Sequence, residues 1–482
     1  MIRLDELLKN WPCTLEGGNR QVTILGVTEY SKRVTPGMLF IARKGATSDG
    51  LDYVEEALAK GAVGIVVDRM IKNDWINERI PLIIVPNCAS FLAYASATFT
   101  GNIDRKLTII AVTGTNGKTT VTHYIGQLLK GVGVKAAVIG TLGVFVDGEK
   151  LDLDLPEMTT LPAEDFHPLL LHLKQLGVCH IVLEASSLGL ATHRLDHCEI
   201  DVGVLLNIGE DHFDEHGSEK AYIQAKSKLL TIAKQNLLND GDEKVRNMMK
   251  EYHIQAATFG LQEGADFQLE KAAGWYQMDA FSGSYRIDST SQAPFFIDNI
   301  AAACSVMCLL KMIAPKEPVY LTLPEGRMTK VQEGGKTVFI DYAHTPEALE
   351  AVLQQLKEIV VGEIIAVFGC GGERHKDKRA KMGRIASQYA KTIILTNDNP
   401  RHENPQDIIR DIQQGVNKDS CDCIVEYDRK VAIHEALQRA TAQDIVLIAG
   451  KGHEKKQIIG HQVQPFSDEK TVTRLLKKFS SL

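Results

Sequence analysis

The chain has 482 residues, 44% hydrophobic and 24% charged, with a formal net charge of −7 and a pI near 6.1. That length exceeds what one core supports, so two to four domains are expected. The acidic balance excludes wholesale binding to nucleic acid or to an anionic membrane, while leaving room for a local basic pocket.

The nine cysteines form no zinc-type set of four, and the N-terminal MIRLDELLKNWPC lacks the apolar core of a signal peptide. No run reaches the length of a membrane span. A cytoplasmic protein acting as a monomer is the expectation.

Short β-rich runs alternate with amphipathic helices, the pattern of an α/β fold with largely parallel sheets. In a first block, residues 1–103, the strand MLFIAR precedes a helix around DYVEEALAKGA, then GIVVD, LIIV and a second helix. The polar stretch Gly101-Asn102-Ile103-Asp104-Arg105 reads as a connector. A second block, residues 104–325, opens with the strand LTIIAV at 107–112 and continues through IVLEAS and VGVLLNIG, both apolar enough to be buried central strands. A third block, residues 326–482, carries the strands EIIAVFG, TIILT and IVLIAG separated by helices, which spells a second small parallel sheet.

The strand LTIIAV runs into Thr113-Gly114-Thr115-Asn116-Gly117-Lys118-Thr119-Thr120. A helix follows, with Val121, Tyr124, Ile125 and Leu128 on one face. Strand, glycine loop and helix together are what a phosphate loop needs: the glycines let backbone N–H groups curl round an anion, and the helix N-terminus adds a favourable dipole. Lys118 would neutralise phosphate charge and the Thr119 hydroxyl would bind Mg²⁺. Val112 stands where the longer form of the motif has glycine, so this is the shorter GTNGKT version.

Glu184 ends IVLEAS, and a carboxylate at the C-terminal end of a parallel strand faces the crevice where ligands bind; it reads as a Mg²⁺ ligand or as a merely solvated strand end. VGVLLNIG delivers Glu210, Asp211 and His212 to the same kind of edge, as a metal or phosphate pair or as ordinary turn chemistry. Lys226, by composition alone, is a solvated helix lysine.

Taken in order, GTNGKTT, LEASS, EDHFDEHGS with AYIQAKSKL, GRM and DYAHTPEAL resemble the Mur ligase family over nearly the whole chain. The resemblance implies three domains: a central P-loop ATPase-like parallel sheet flanked by a small N-terminal α/β domain and a C-terminal Rossmann-like α/β domain. It implies ATP and Mg²⁺ as cofactors, with Lys118, Glu184, His212 and a carbamylated Lys226 as the catalytic set. Thr119, Glu184, His212 and Lys226 would be the metal ligands. ATP would be held by Gly114, Thr115, Asn116, Gly117, Lys118, Thr119, Thr120, Asn299, Arg327, Asp341 and His344.

The third block is similar to the family members that add a diamino acid to a UDP-linked muramoyl dipeptide, through FGCGGER at 368–374, Asp377-Lys378-Arg379, Asp398-Asn399-Pro400-Arg401 and Gly450-Lys451-Gly452-His453-Glu454. By that resemblance Arg374, Asp398, Asn399, Arg401, Gly450 and Glu454 line the amino-acid pocket. The terminal arginine of the third motif goes with meso-diaminopimelate, whose distal carboxylate suits a guanidinium fork. Ser31, Thr159, Thr160, Ser186 and Arg194 match positions that hold the UDP-linked acceptor, and residues 44–50 resemble the uridine-binding module.

The chain departs from the family pattern at Tyr30-Ser31-Lys32 (usually Asp-Ser-Arg), Leu188 (histidine), Thr329 (glutamate) and Ala380 (proline). Tyr30, Lys32 and Leu188 fall in the acceptor region, so a paralogue joining an amino acid to another carboxylate is a competing reading. A non-catalytic nucleotide switch is a second, disfavoured by an amino-acid pocket it would not need. A dehydrogenase is a third, weakened because the glycine turn at 369–372 lacks the full GxGxxG spacing.

Overall fold

The computed structural model describes residues 1–45, 48–71, 80–210, 213–272, 275–280, 283–288 and 294–480. They fold into two compact units whose segments interleave along the chain. The first comprises Met1–Thr113, Gly133–Val204 and Ala225–Asn236, the second Gly114–Val132, Leu205–Gln224 and Leu237–Leu482.

The first unit contains a five-stranded sheet in the order Thr14–Glu16, Leu82–Ile84, Gly64–Val67, Met38–Ile41, Gly26–Thr28, parallel except at its Thr14–Glu16 edge. Alternate residues of its strands feed two cores. Leu39, Ile41, Val66 and Ile83 pack with Phe91 and Leu92 of the helix Cys88–Phe99, whereas Phe40, Ile65, Val67 and Leu82 pack with Val54 and Ala57 of the helix Val54–Ala59. A strand buried on both faces must be apolar throughout, which is why these runs read as continuous rather than alternating.

The same unit holds the parallel strands Ala136–Gly140, His180–Glu184 and Thr108–Thr113 side by side. Their residues Ile139, Leu183 and Ala111 pack on Phe166, Leu170 and Leu173 of the helix Ala163–Gln175.

In the second unit the helix Lys118–Gly131 packs against Pro294–Leu309. Val121, Tyr124, Ile125 and Leu128, spaced for one helical face, are all fully buried. A six-stranded sheet has the order Thr329–Glu333, Lys336–Asp341, Ile445–Ala449, Ile364–Phe368, Thr392–Leu395, Asp422–Val425, antiparallel only at the first pair. Ile364, Ala366 and Phe368 face the helices Pro346–Ile359, Asp377–Tyr389 and Pro405–Gln413; Ile365 and Val367 face Arg429–Arg439 and Asp468–Ser480. Helices thus cover both faces of a sheet whose three central strands are those read in the third block.

Between the last two helices lies a fully buried ion pair. Arg429 Nε and Nη2 donate to Asp468 Oδ1 and Oδ2, each at 2.8 Å, and Nη2 also donates to the Ala449 carbonyl at 2.9 Å. Removing one partner of such a pair strands the other charge in a low dielectric. Asp468→Asn should therefore cost about 3–5 kcal/mol of unfolding free energy in a urea titration; a loss below about 1 kcal/mol would show that the pair is dispensable.

Candidate active site

The phosphate loop of the second unit is shaped by its own backbone and by polar side chains that the motif does not contain. Gly117 has φ of 91°, and a Cβ there would stand 2.5 Å from Asn299 Oδ1, so the position takes only glycine without rearrangement. Asn116 N–H donates to Asn207 Oδ1 at 2.9 Å, and Asn207 Nδ2 returns a bond to the Asn116 carbonyl at 3.1 Å. The Thr115 hydroxyl lies 2.8 Å from the Tyr222 hydroxyl and accepts from Gly209 N–H at 2.7 Å. Lys118 Nζ donates to the carbonyls of Gly114 and Thr115, at 2.7 and 3.0 Å. The loop thus stands formed, with its cation turned onto its own carbonyls.

Around this loop the second unit gathers the other residues expected to hold nucleotide. A cleft of about 730 Å³ opens beside it, lined by Asn116, Gly117, Asn207, Asn299 and Glu347 among others. Arg327 Nη2 donates to the Thr119 hydroxyl at 3.3 Å and its guanidinium lies 4.8 Å from the Tyr342 ring centroid. Asp341, buried at the end of its strand, accepts from Met328 N–H at 2.7 Å and Ala343 N–H at 2.8 Å. Burial raises its carboxyl above the usual value even though Arg327 and those two amides pull the other way. His344 Nδ1 lies 2.9 Å from the Tyr342 carbonyl.

A second polar cluster sits where the parallel strands Ile364–Phe368, Thr392–Leu395 and Ile445–Ala449 end. Asn399 Nδ2 donates to Glu454 Oε2 at 2.9 Å, and Lys451 Nζ donates to both Asn399 Oδ1 and Glu454 Oε2, at 3.1 and 2.7 Å. Burial pushes the Glu454 carboxyl up, but Lys451 and Asn399 outweigh it and leave the group below its ordinary value. Asp398 is raised by burial despite Lys451 and Arg429. A Cβ at Gly450 would stand 2.5 Å from Asp398 Oδ2, so these two motifs touch only because one ends in glycine. Arg401 Nη1 donates to the Gly372 carbonyl at 2.7 Å, and Arg374 is ion-paired with Glu215. Lys451, one residue of the Gly450-Lys451-Gly452-His453-Glu454 motif, is wholly buried and central to this network, and its place between two acceptors is visible only in the fold.

The first unit gathers the remaining side chains. Glu184, 1% exposed, accepts from Thr141 N–H and the Thr141 hydroxyl, both at 3.0 Å, and a Cβ at Gly140 would stand 2.2 Å from its Oε1. The Thr159 hydroxyl lies 3.1 Å from that of Thr141. Thr160 donates to the Glu184 carbonyl at 2.9 Å and sits 3.0 Å from Ser186 Oγ, while Arg194 Nη1 donates to the Thr160 carbonyl at 2.7 Å. Lys226 is also in this unit and 1% exposed, not the solvated lysine that composition favours. Ser31 Oγ donates to Glu56 Oε2 at 2.6 Å. His212, with Asp211, and residues 46–47 of the uridine-like stretch lie outside the described residues.

Hydroxyl and carboxylate oxygens of the Thr119 and Glu184 type suit a hard cation, and Mg²⁺ usually takes only one or two protein oxygens beside substrate phosphates. Among the described residues, no three His, Cys, Asp or Glu side chains gather as a metal cage.

The charged residues near Ser31 and Arg194 carry their own electrostatics. Arg43 is ion-paired with Glu29, and Arg33 lies 2.9 Å from Asp165 and 3.4 Å from Glu164. The Glu164 carboxyl is pushed up to about 7, mainly by burial and further by Glu29 and Asp165, with the Thr28 hydroxyl and Arg33 too weak to offset it. Its folded-state value therefore lies above the ordinary 4.5, so the native state loses stability as pH rises from about 4.5 through about 7 and is level beyond. Glu164→Gln, uncharged throughout, should raise the melting temperature at pH 8 and hardly change it at pH 5, with up to about 3 kcal/mol at stake. An equal effect at both pH values would contradict this.

Three family models match the chain: "Mur ligase family, catalytic domain" over residues 23–100, "Mur ligase middle domain" over 112–307 and "Mur ligase, glutamate ligase domain" over 326–452. A UDP-N-acetylmuramoyl-L-alanyl-D-glutamate–2,6-diaminopimelate ligase of Caldanaerobacter subterraneus is 36% identical over 485 residues, spanning 98% of this chain and 99% of the relative. One of the same name from Geobacillus kaustophilus is 35% identical, covering 96% of each. A solved structure of an enzyme so named superposes with a TM-score of 0.66 at 30% identity over 99% of both chains. The MurF ligase of Thermotoga maritima in complex with ADP shares the fold, with a TM-score of 0.62 at 21% identity over 95% of this chain and 98% of the other.

Proposed function

The chain belongs to the Mur ligase family, and on that premise we propose that it joins meso-diaminopimelate to the D-glutamyl γ-carboxylate of UDP-N-acetylmuramoyl-L-alanyl-D-glutamate in peptidoglycan precursor synthesis. It is an ATP-dependent amide-bond-forming ligase with the three-domain fold of that family. The observation that carries the substrate reading is likeness along the whole chain to ligases of that name. Residues 1–103 would bind the UDP-linked acceptor, 104–325 ATP and 326–482 the amino acid. We place the enzyme in the cytoplasm as a monomer. Nine free thiols suit a reducing compartment, and no helix among the described residues is long and apolar enough to cross a membrane.

In this reading the adenine of ATP enters the cleft beside Asn299, and its phosphates lie on Gly114–Thr120 with Arg327, Asp341 and His344 around them. Lys118 exchanges its carbonyl partners for phosphate oxygens. The acceptor, held by Ser31, Thr159, Thr160, Ser186 and Arg194, presents its carboxylate, which attacks the γ-phosphorus and expels ADP. The amine of diaminopimelate, held by Arg374, Asp398, Asn399, Arg401, Gly450 and Glu454, then attacks the acyl phosphate carbon. Loss of a proton from nitrogen and expulsion of phosphate complete the amide.

Thr119, Glu184, His212 and a carbamylated Lys226 would hold Mg²⁺, which when bound offsets charge on the transferring phosphoryl group. A carbamate on Lys226 would turn a buried cation into a carboxylate-like oxygen ligand.

Lys118→Ala should lower kcat/KM by about 10²–10³-fold or more while leaving the circular dichroism unchanged; near-normal turnover would remove ATP from this loop. In a phosphate-release assay with ATP and the UDP-linked dipeptide, meso-diaminopimelate should beat L-lysine by roughly tenfold or more, and Arg401→Ala should erase the preference. Equal rates with both amines would sink the amino-acid assignment.

Tyr30 and Leu188, both exposed where the family pattern has a carboxylate and a histidine, favour a second reading in which the acceptor is a different carboxylate. No phosphate release with the UDP-linked dipeptide, but release with another acid, would establish it.

A further inference from the structure

Beside Arg401 stand two histidines for which the ligase chemistry above has no use. His402 follows Arg401 directly, and His461 sits at the tip of the hairpin formed by Lys456–Ile459 and Gln462–Pro465. His402 Nε2 and His461 Nδ1 lie 3.3 Å apart, with the rings inclined at 67°. On its other side, His402 Nδ1 lies 3.2 Å from Glu373 Oε1.

The carboxylate sets the tautomer. Glu373 accepts a hydrogen bond, so the neutral His402 ring carries its proton on Nδ1 and turns the lone pair of Nε2 toward His461. Two imidazole nitrogens around one tetrahedral ion at 2.0–2.1 Å are separated by about 3.3 Å, the spacing found here. A carboxylate on the far nitrogen of a ligating histidine is the usual support of such a ligand. His402 and Glu373 are about half exposed, which leaves an entry path and room for water at the remaining positions.

We propose that His402 and His461 form a second metal site, a two-imidazole clamp for a borderline divalent transition-metal ion, oriented by Glu373. Imidazole prefers ions such as Zn²⁺ to Mg²⁺, so the clamp is chemically distinct from the ATP-linked site.

Its position gives it a consequence. Arg401 N–H donates to the Ile458 carbonyl at 3.1 Å, and Gly460 N–H donates back to the Arg401 carbonyl at 2.6 Å. The loop that carries Arg401 and the hairpin that carries His461 are thus already tied by backbone, and an ion between the two rings adds a side-chain brace. That consequence rests on the amino-acid role proposed for Arg401; metal binding itself does not.

The test is calorimetric titration of the metal-stripped full chain with Zn²⁺ in excess Mg²⁺. The wild type should bind one equivalent that His402→Ala and His461→Ala each lose, and Glu373→Gln should weaken it by about 10–100-fold. Identical Zn²⁺ binding in the wild type and both alanine variants, or none in any, overturns the site. In the ligase assay Zn²⁺ should shift the KM for the amino acid in the wild type and not in His461→Ala. Binding without that shift overturns the brace and leaves the clamp. If no amino acid is turned over at all, the ligase reading fails while the titration still decides the metal site.

Discussion

A parallel strand covered on both faces can keep a charged group only at its end, and there the group must be held by whatever backbone is in reach. Glu184 and Asp341 obey this constraint as the last residues of their strands, and Asp398 stands in the loop just after the strand that ends at Leu395. The first two accept backbone N–H groups from Thr141 and from Met328 and Ala343, and the third touches the residue that a glycine leaves open at 450. Because Glu184 and Asp341 accept from main-chain N–H groups, their oxygens are held in place by the backbone itself.

The loops at those ends are held in turn by buried charge. Arg429 and Asp468 join two helices and reach the last residue of the strand Ile445–Ala449, one step before Gly450. Arg379, fully buried, donates to both oxygens of Glu403, at 2.7 and 2.8 Å, and to Asp411 at 2.9 Å. Glu403 follows His402 in the loop after the third motif, and Arg379 holds its carboxyl down at about 2. A charged network of this kind gains little over apolar packing in stability, but it fixes one loop geometry among many.

What the sequence made legible is what is contiguous in it. The phosphate loop could be read because strand, glycines and amphipathic helix follow within two dozen residues, and the residues spaced for one helical face are all buried. Of the third-block sheet the three central strands were legible because they are uniformly apolar, whereas Thr329–Glu333, Lys336–Asp341 and Asp422–Val425 carry polar residues and were not read. The groups that shape the loop were not legible: Tyr222 and Thr345 lie inside AYIQAKSKL and DYAHTPEAL and Asn207 inside VGVLLNIG, but nothing in those stretches points to the loop, and only folding brings Asn207 and Thr345 to Asn116 and Tyr222 to Thr115. Lys226 shows the opposite failure, since helix periodicity alone gave no reason to bury a lysine. The interleaving of the two units was equally hidden, because it depends on which segments pack together rather than on any composition shift.

The bonds from Lys118 to the carbonyls of Gly114 and Thr115 tie the ammonium to the loop's own main chain. Arrival of a nucleotide would be an exchange: carbonyl acceptors are given up for charged oxygens, which adds the attraction of opposite charges to bonds whose donor is already ionised. The gain from the exchange is thus only the difference between the two kinds of bond, while the cost of shaping the loop was met during folding. Such a loop discriminates by the charge of what enters, and a weakly charged visitor leaves the lysine where it is.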